Sequence, residues 1–136
     1  MNIETLENAV HLAKTVGYSF IATTNVKKVP HISLVSDIDI DFQGRLEVTG
    51  WFCQFTSANL EVNRNVTVVV WDPRNDIGYQ ITGEMERVDE VERLNGYAFG
   101  LEQEKPMPQV ERMLHIKVHK ILDFKKAPHM DVEMKG

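Results

Sequence analysis

Residues 65–88, Asn65-Val66-Thr67-Val68-Val69-Val70-Trp71-Asp72-Pro73-Arg74-Asn75-Asp76-Ile77-Gly78-Tyr79-Gln80-Ile81-Thr82-Gly83-Glu84-Met85-Glu86-Arg87-Val88, decide the fold class. Asn65 to Trp71 is the most apolar run of the chain. It is short, β-branched and bounded by polar breaks, which predicts a buried strand rather than a helix. Asp72 to Asp76, with Pro73, is turn chemistry. Ile77 to Val88 then resumes as a long strand in which Gly78 and Gly83 mark a bulge or a bend.

Upstream, Leu6, Ala9, Val10, Ala13 and Val16 recur at helical spacing and Gly17 follows at the left-handed cap position, predicting an amphipathic helix over residues 3–16. Tyr18 to Thr24 and Pro30 to Ile40, separated by a polar turn with Lys27 and Lys28, read as an antiparallel hairpin. Ile38 and Ile40 alternate with Asp37, Asp39 and Asp41, which assigns the carboxylates to a wet face before the turn at Gln43 and Gly44. Arg45 to Phe52 is expected as the next strand, and Thr56 to Arg64 as a short helix with Thr56 or Ser57 as its N-cap. Downstream, Val91, Leu94 and Ala98 predict a helix from Asp89 to Phe99 facing the sheet. A loop with Pro106 and Pro108 leads through a short helical turn to a last strand, Leu114 to Phe124, with Ile116, Val118 and Leu122 on one face. From Ala127 onward a loosely ordered tail is expected. Six strands and three helices predict a mainly β (α+β), mainly antiparallel barrel with helical additions.

With 136 residues, 43% hydrophobic and 26% charged, the chain is expected to form a single domain over residues 1–136. A net charge of -5 disfavours nonspecific attraction to nucleic acid or anionic lipid. No run approaches the ~18 apolar residues of a membrane helix, and residues 1–17 lack the pattern of a signal peptide. The single cysteine, Cys53, excludes an internal disulfide and makes a reducing, cytoplasmic setting the simplest expectation.

Several chemistries lack their residues. Asp37, Asp39 and Asp41 resemble half a calcium loop, but Phe42 stands where glycine is required and Val48 where the bidentate glutamate belongs. His115 and His119 have no third ligand at a telling spacing, so surface histidines are expected and no metal. Cys53 lies among Trp51, Phe52 and Phe55, which suggests burial rather than a catalytic thiol. Nucleophile elbows, phosphate loops and dinucleotide fingerprints are missing. The informative region is Thr49-Gly50-Trp51-Phe52-Cys53-Gln54-Phe55-Thr56-Ser57-Ala58-Asn59-Leu60, where a strand ends beside a hydroxyl-rich helix start. Free backbone amides and side-chain donors converge there on a place for an anion, though hydroxyl caps alone are common.

The joint order of Ala22-Thr23-Thr24, Pro30-His31-Ile32-Ser33, Thr49-Gly50, Thr56-x-x-Asn59-Leu60, Asn65 to Trp71 and Gly78-Tyr79-Gln80-Ile81-Thr82-Gly83 resembles the pyridoxamine phosphate oxidase-like family of FMN-binding split barrels. The resemblance spans residues 18–88 and extends to Ile121-Leu122-Asp123-Phe124. It implies a six-stranded antiparallel Greek-key split barrel and a homodimer with FMN at the subunit interface. Carried over by position, Ser33, Leu34, Val35 and Ser36 would line the flavin, joined by Thr49 and Gly50, while Thr56, Ser57 and Asn59 would hold the ribityl phosphate. Leu34 and Val35 also suit a core, and Thr56 a simple helix cap.

One departure stands out. Many relatives carry a lysine or arginine near the helix start, where this chain has Gln54, Phe55 and Ala58. Hydroxyls and helix amides are expected to compensate in part, and Lys27, Lys28, Arg64 or a residue of a partner subunit are the candidates for the missing charge. The expected function is an FMN-dependent oxidoreductase acting on a small molecule or a redox partner. Flavin N5 performs the chemistry, so no side chain is singled out as catalytic. The alternatives are a noncatalytic flavin-binding or electron-transfer protein, the same barrel holding a deazaflavin, or haem with His31, His115 or His119 as axial ligand, and a barrel that has lost its cofactor.

Overall fold

The computed structural model describes residues 2–50, 54–93 and 109–126. Its first helix, α1 (Ile3–Val16), has the predicted bounds. The Asn2 side chain accepts the Glu4 amide at 2.7 Å, and Gly17, at φ 100°, ends the helix by donating to the Ala13 carbonyl. Leu6, Ala9, Val10 and Ala13 form its buried stripe.

Seven strands follow: β1 (Ser19–Thr24), β2 (Pro30–Val35), β3 (Asp37–Ile40), β4 (Leu46–Gly50), β5 (Asn65–Asp72), β6 (Ile77–Arg93) and β7 (Gln109–Asp123), with helix α2 (Gln54–Val62) between β4 and β5. They form one antiparallel sheet of order β2-β1-β5-β6-β7-β4-β3. The sheet curls into a half-barrel in which β2 returns to touch β4. α1 lies against the adjacent central strands β5 and β6 and against β3 at the sheet edge, and so closes the concave side. Its stripe meets Ile21, Ile38, Leu46, Val48, Val66, Val68, Val70, Ile81, Leu114, Ile116 and Ile121 in a continuous apolar core. On the β5–β6 hairpin, Val66, Val68 and Val70 point inward at period two, as the opening run predicts.

The class matches the expected barrel, with one strand more than six. The extra strand arises where Pro30 to Ile40 breaks at Ser36 into β2 and β3, which occupy opposite edges of the sheet. The largest correction concerns the helix expected from Asp89 to Phe99. Asp89 to Arg93 continue β6 and pair with Met113 to Gln109, so the expected short helical turn is strand over 109–113. The backbone of Glu90 is in register with that of Arg112, so a long-range ladder prevails over the local helical spacing. The rest of that helix, the Pro106 and Pro108 loop, Trp51, Phe52 and Cys53, and the tail lie outside the described residues.

The Gly83 expectation holds. The β6–β7 register shifts between Thr82 and Gly83, where β7 carries His119 as an extra residue, and again between Met85 and Arg87, where β6 carries Glu86. The first shift turns Ile121 rather than Leu122 inward, correcting the face assigned to Leu122. A Cβ on Gly83 would stand 2.2 Å from the Lys117 carbonyl oxygen, so only glycine lets the two backbones approach.

Candidate functional site

The hydroxyl-rich helix start gathers what the sequence singled out. α2 begins at Gln54, two residues before the expected cap, so Thr56 and Ser57 lie in its first turn. Thr56 is 1% exposed and its Oγ1 lies 2.9 Å from the Ser33 Oγ on β2. This corrects the capping role: the Thr56 hydroxyl ties helix to strand. Asn59 is also buried and donates through Nδ2 to the Thr23 hydroxyl of β1 at 3.1 Å, fixing the next helical turn over the sheet.

The remaining carried-over residues divide by strand alternation. On β2, Ser33 turns toward α2 and Val35 is buried in the core, whereas Leu34 (56% exposed) and Ser36 face outward. Thr49 is half-buried, opposite Asp37 on β3 and Met113 on β7, and Gly50 is opposite Arg112. Thus Ser33, Thr56 and Ser57 come together, while Leu34 and Ser36 look to the other side of the sheet.

Sequence reading missed Arg112. Its Nη1 donates to the Ser57 Oγ at 2.5 Å, which brings a guanidinium over the first turn of α2. Of the three cations it nominated within the chain, Arg64 follows the opposite end of α2, where its Nη1 approaches the Met85 carbonyl at 3.4 Å. Lys27 and Lys28 occupy the β1–β2 turn, where the Asn25 carboxamide accepts the Lys27 amide. The only signal for Arg112 is its β pairing with Gly50, hidden because residues 109–113 read as a helical turn. Amides of a helix start, two or three hydroxyls and a guanidinium are a donor set that fits a phosphate monoester.

A second polar cluster lies farther along β7. His115 is 3% exposed rather than on the surface. Its Nδ1 lies 3.0 Å from Asp41 Oδ2 and its Nε2 3.0 Å from Asp89 Oδ2. Asp41 therefore leaves the wet face assigned to it and is buried, whereas Asp37 and Asp39 stay exposed and pair with Lys14 of α1. Burial pushes the Asp41 carboxyl up, but the Arg45 and Gln43 amides and His115 outweigh it and hold the group below its ordinary value. Both ring nitrogens of His115, one of the histidines expected as a haem ligand, thus face carboxylates. His119 meets Glu84 at 3.1 Å, and no group of three or more His, Cys, Asp or Glu among the described residues is placed to hold a metal. No described helix is long and apolar enough to cross a membrane.

Comparison of the sequence with protein families and with curated proteins finds no match. Comparison of the structure does. A Clostridium acetobutylicum protein related to general stress protein 26, of the pyridoxinephosphate oxidase family, is similar at TM-score 0.64 and 11% identity, over 99% of this chain and 96% of that one. A pyridoxamine 5'-phosphate oxidase-related, FMN binding protein from Nostoc punctiforme is similar at TM-score 0.62 and 9% identity, over 90% and 82%. An F420 reductase is similar at TM-score 0.55 and 20% identity, over 76% and 87%. The fold of this chain is thus the split barrel of pyridoxamine phosphate oxidase-like proteins, as the order of its motifs implied.

Proposed function

We propose that the protein binds FMN beside the first turn of α2, with its phosphate at Arg112 and Ser57, and serves as an FMN-dependent oxidoreductase. The observation that carries this is Arg112 over the first turn of α2, beside the Ser33 and Thr56 hydroxyl pair. Arg112, Ser57 and the helix amides hold the phosphate; Ser33 and the backbone of β2 and β4 line the way to the ring, with Thr49 and Gly50 at its side. FMN supplies hydride or single-electron transfer when bound. The protein orients it and limits its contact with water. Val35 and Asn59 act behind the site, as core and as a lock on α2. The names of the similar structures, an FMN binding protein and an F420 reductase, support a flavin-type ligand.

The working unit is a homodimer, with the flavin at its interface. Ile32 (64% exposed), Leu34 and Phe20 leave an apolar patch on the outer face at the β2 edge, and a second copy covers it. The setting is the cytoplasm, and no nucleic acid or membrane takes part. A noncatalytic electron carrier or a deazaflavin protein would use the same residues.

Titration with FMN decides. The expected result is saturable retention of FMN by the protein in equilibrium dialysis, and an Arg112→Gln variant that melts normally but binds roughly tenfold more weakly, since a charge-assisted bond contributes about 1.5–3 kcal/mol. No retention at excess FMN sinks the flavin reading, and unchanged affinity in the folded variant moves the phosphate elsewhere.

A further inference from the structure

The buried His115 of β7 has two neighbours of opposite charge at its Nε2, both on β6: Asp89 Oδ2 at 3.0 Å and Arg87 Nη2 at 3.5 Å. We propose that these residues form a proton-operated exchange of partners. The imidazolium donates through Nε2 to Asp89, and the neutral ring, keeping its proton on Nδ1, accepts at Nε2 from Arg87 instead. The device shares no residue with the exposed apolar face of β1, β2 and β5 or with the hydroxyl and guanidinium cluster at α2, and does not depend on what either binds.

The placement follows from a register shift. Met85 is opposite Ile116, so an unbroken ladder would set Glu86, a carboxylate, opposite His115; the bulge gives that place to Arg87. Asp89 is two residues further on and shares the face of Arg87. Its half-exposed carboxylate also lies 3.5 Å from Arg87 Nε, so the guanidinium holds the carboxylate with one nitrogen while another faces the ring. On the far side of the ring Asp41 is fixed. Its Oδ1 accepts the Gln43 and Arg45 amides at 2.8 and 2.9 Å, and its Oδ2 lies 3.0 Å from His115 Nδ1. From β4, Glu47 is in register with His115, and Arg45, two residues earlier, pairs with Glu86.

Donor counting defines the two states. An ionised carboxylate only accepts, so carboxylates facing both ring nitrogens call for two N–H groups, which only the imidazolium has. Loss of one proton sets a lone pair against a carboxylate, and the two nitrogens are not equivalent in bearing it. Asp41 is buried and cannot turn away without orphaning two amides, whereas Asp89 can turn to water. The proton therefore leaves Nε2 and stays on Nδ1. The new lone pair repels Asp89 and attracts the Arg87 guanidinium, which itself keeps its charge, so the exchange runs on the imidazole alone. β7 stays tied to the β3–β4 turn in both states and changes its tie to β6.

The test is an NMR titration of the 15N-labelled full chain from about pH 5 to about pH 10, reading the His115 ring nitrogens and the Arg87 guanidinium. Both ring nitrogens are expected to carry protons at the acid end. As the pH rises, Nε2 should move into the range of an unprotonated nitrogen while Nδ1 keeps its proton. A coupling across the new hydrogen bond, between Arg87 Nη2 and His115 Nε2, should appear in the same step. In Asp41→Asn the carboxamide oxygen still accepts the two amides, and its NH2 donates to Nδ1. Its neutral His115 should therefore be the opposite tautomer, Nε2–H on Asp89, with the Arg87 coupling lost; a purely structural role for His115 predicts no such inversion. A parent ring that never releases the Nε2 proton, a neutral parent ring of the Nε2–H form, or a neutral ring without the Arg87 coupling would each overturn the proposal, whether or not the variant folds. So would a folded Asp41→Asn protein whose neutral His115 keeps its proton on Nδ1.

Discussion

Asp37, Asp39 and Asp41 occupy alternate positions in the sequence and meet different ends. The first two keep water and share Lys14, an exposed cluster that contributes little. Asp41 accepts the amides of Gln43 and Arg45 and reaches His115, 74 residues away. Alternation made all three look alike, and only the last pairing tells them apart. Since the folded Asp41 carboxyl lies below its ordinary value, the stability it confers is present above that value and is lost as pH falls through the folded one. Asp41→Asn keeps an acceptor for the two amides and removes the charge facing His115. Its melting curve should show a loss of about 1–3 kcal/mol at neutral pH, shrinking toward zero below about pH 4. A constant deficit down to pH 3 would mean that geometry, not charge, is what Asn fails to supply.

At the scale of elements, the β6–β7 ribbon is both the best and the worst read part of the chain. Its first half was legible because Gly78 and Gly83 announce close backbone approach within a strong strand pattern. Its second half was not, because Val91, Leu94 and Ala98 have helical spacing in the sequence and the strand over Asp89 to Arg93 depends on a partner about 20 residues further along. The same misreading concealed Arg112. Gly83→Ala would press a methyl group onto the Lys117 carbonyl, where backbone has to move. Urea denaturation should show a loss of about 1–3 kcal/mol with an unchanged slope. A midpoint equal to that of the parent would show that the bulge absorbs the methyl.

For the molecule as a whole, one sheet serves two purposes: its inner face is core, and its outer face at β1, β2 and β5 is apolar without being covered. Sedimentation at micromolar protein should give a dimer, and Leu34→Lys, which puts a charge on that face, should give a folded monomer. A parent chain that sediments as a monomer removes the proposed second wall of the flavin site. The barrel class was readable because β1 and β5 are short, β-branched and bounded by turn residues. The break at Ser36 was not, since no glycine or proline marks it. That break has a consequence for motion. β2 and β3 end up at opposite edges of the sheet with one residue between them, so a covalent tether rather than a ladder of hydrogen bonds closes the barrel there. Widening the barrel at that seam breaks no β2–β3 ladder and turns instead on the two backbone torsions of Ser36.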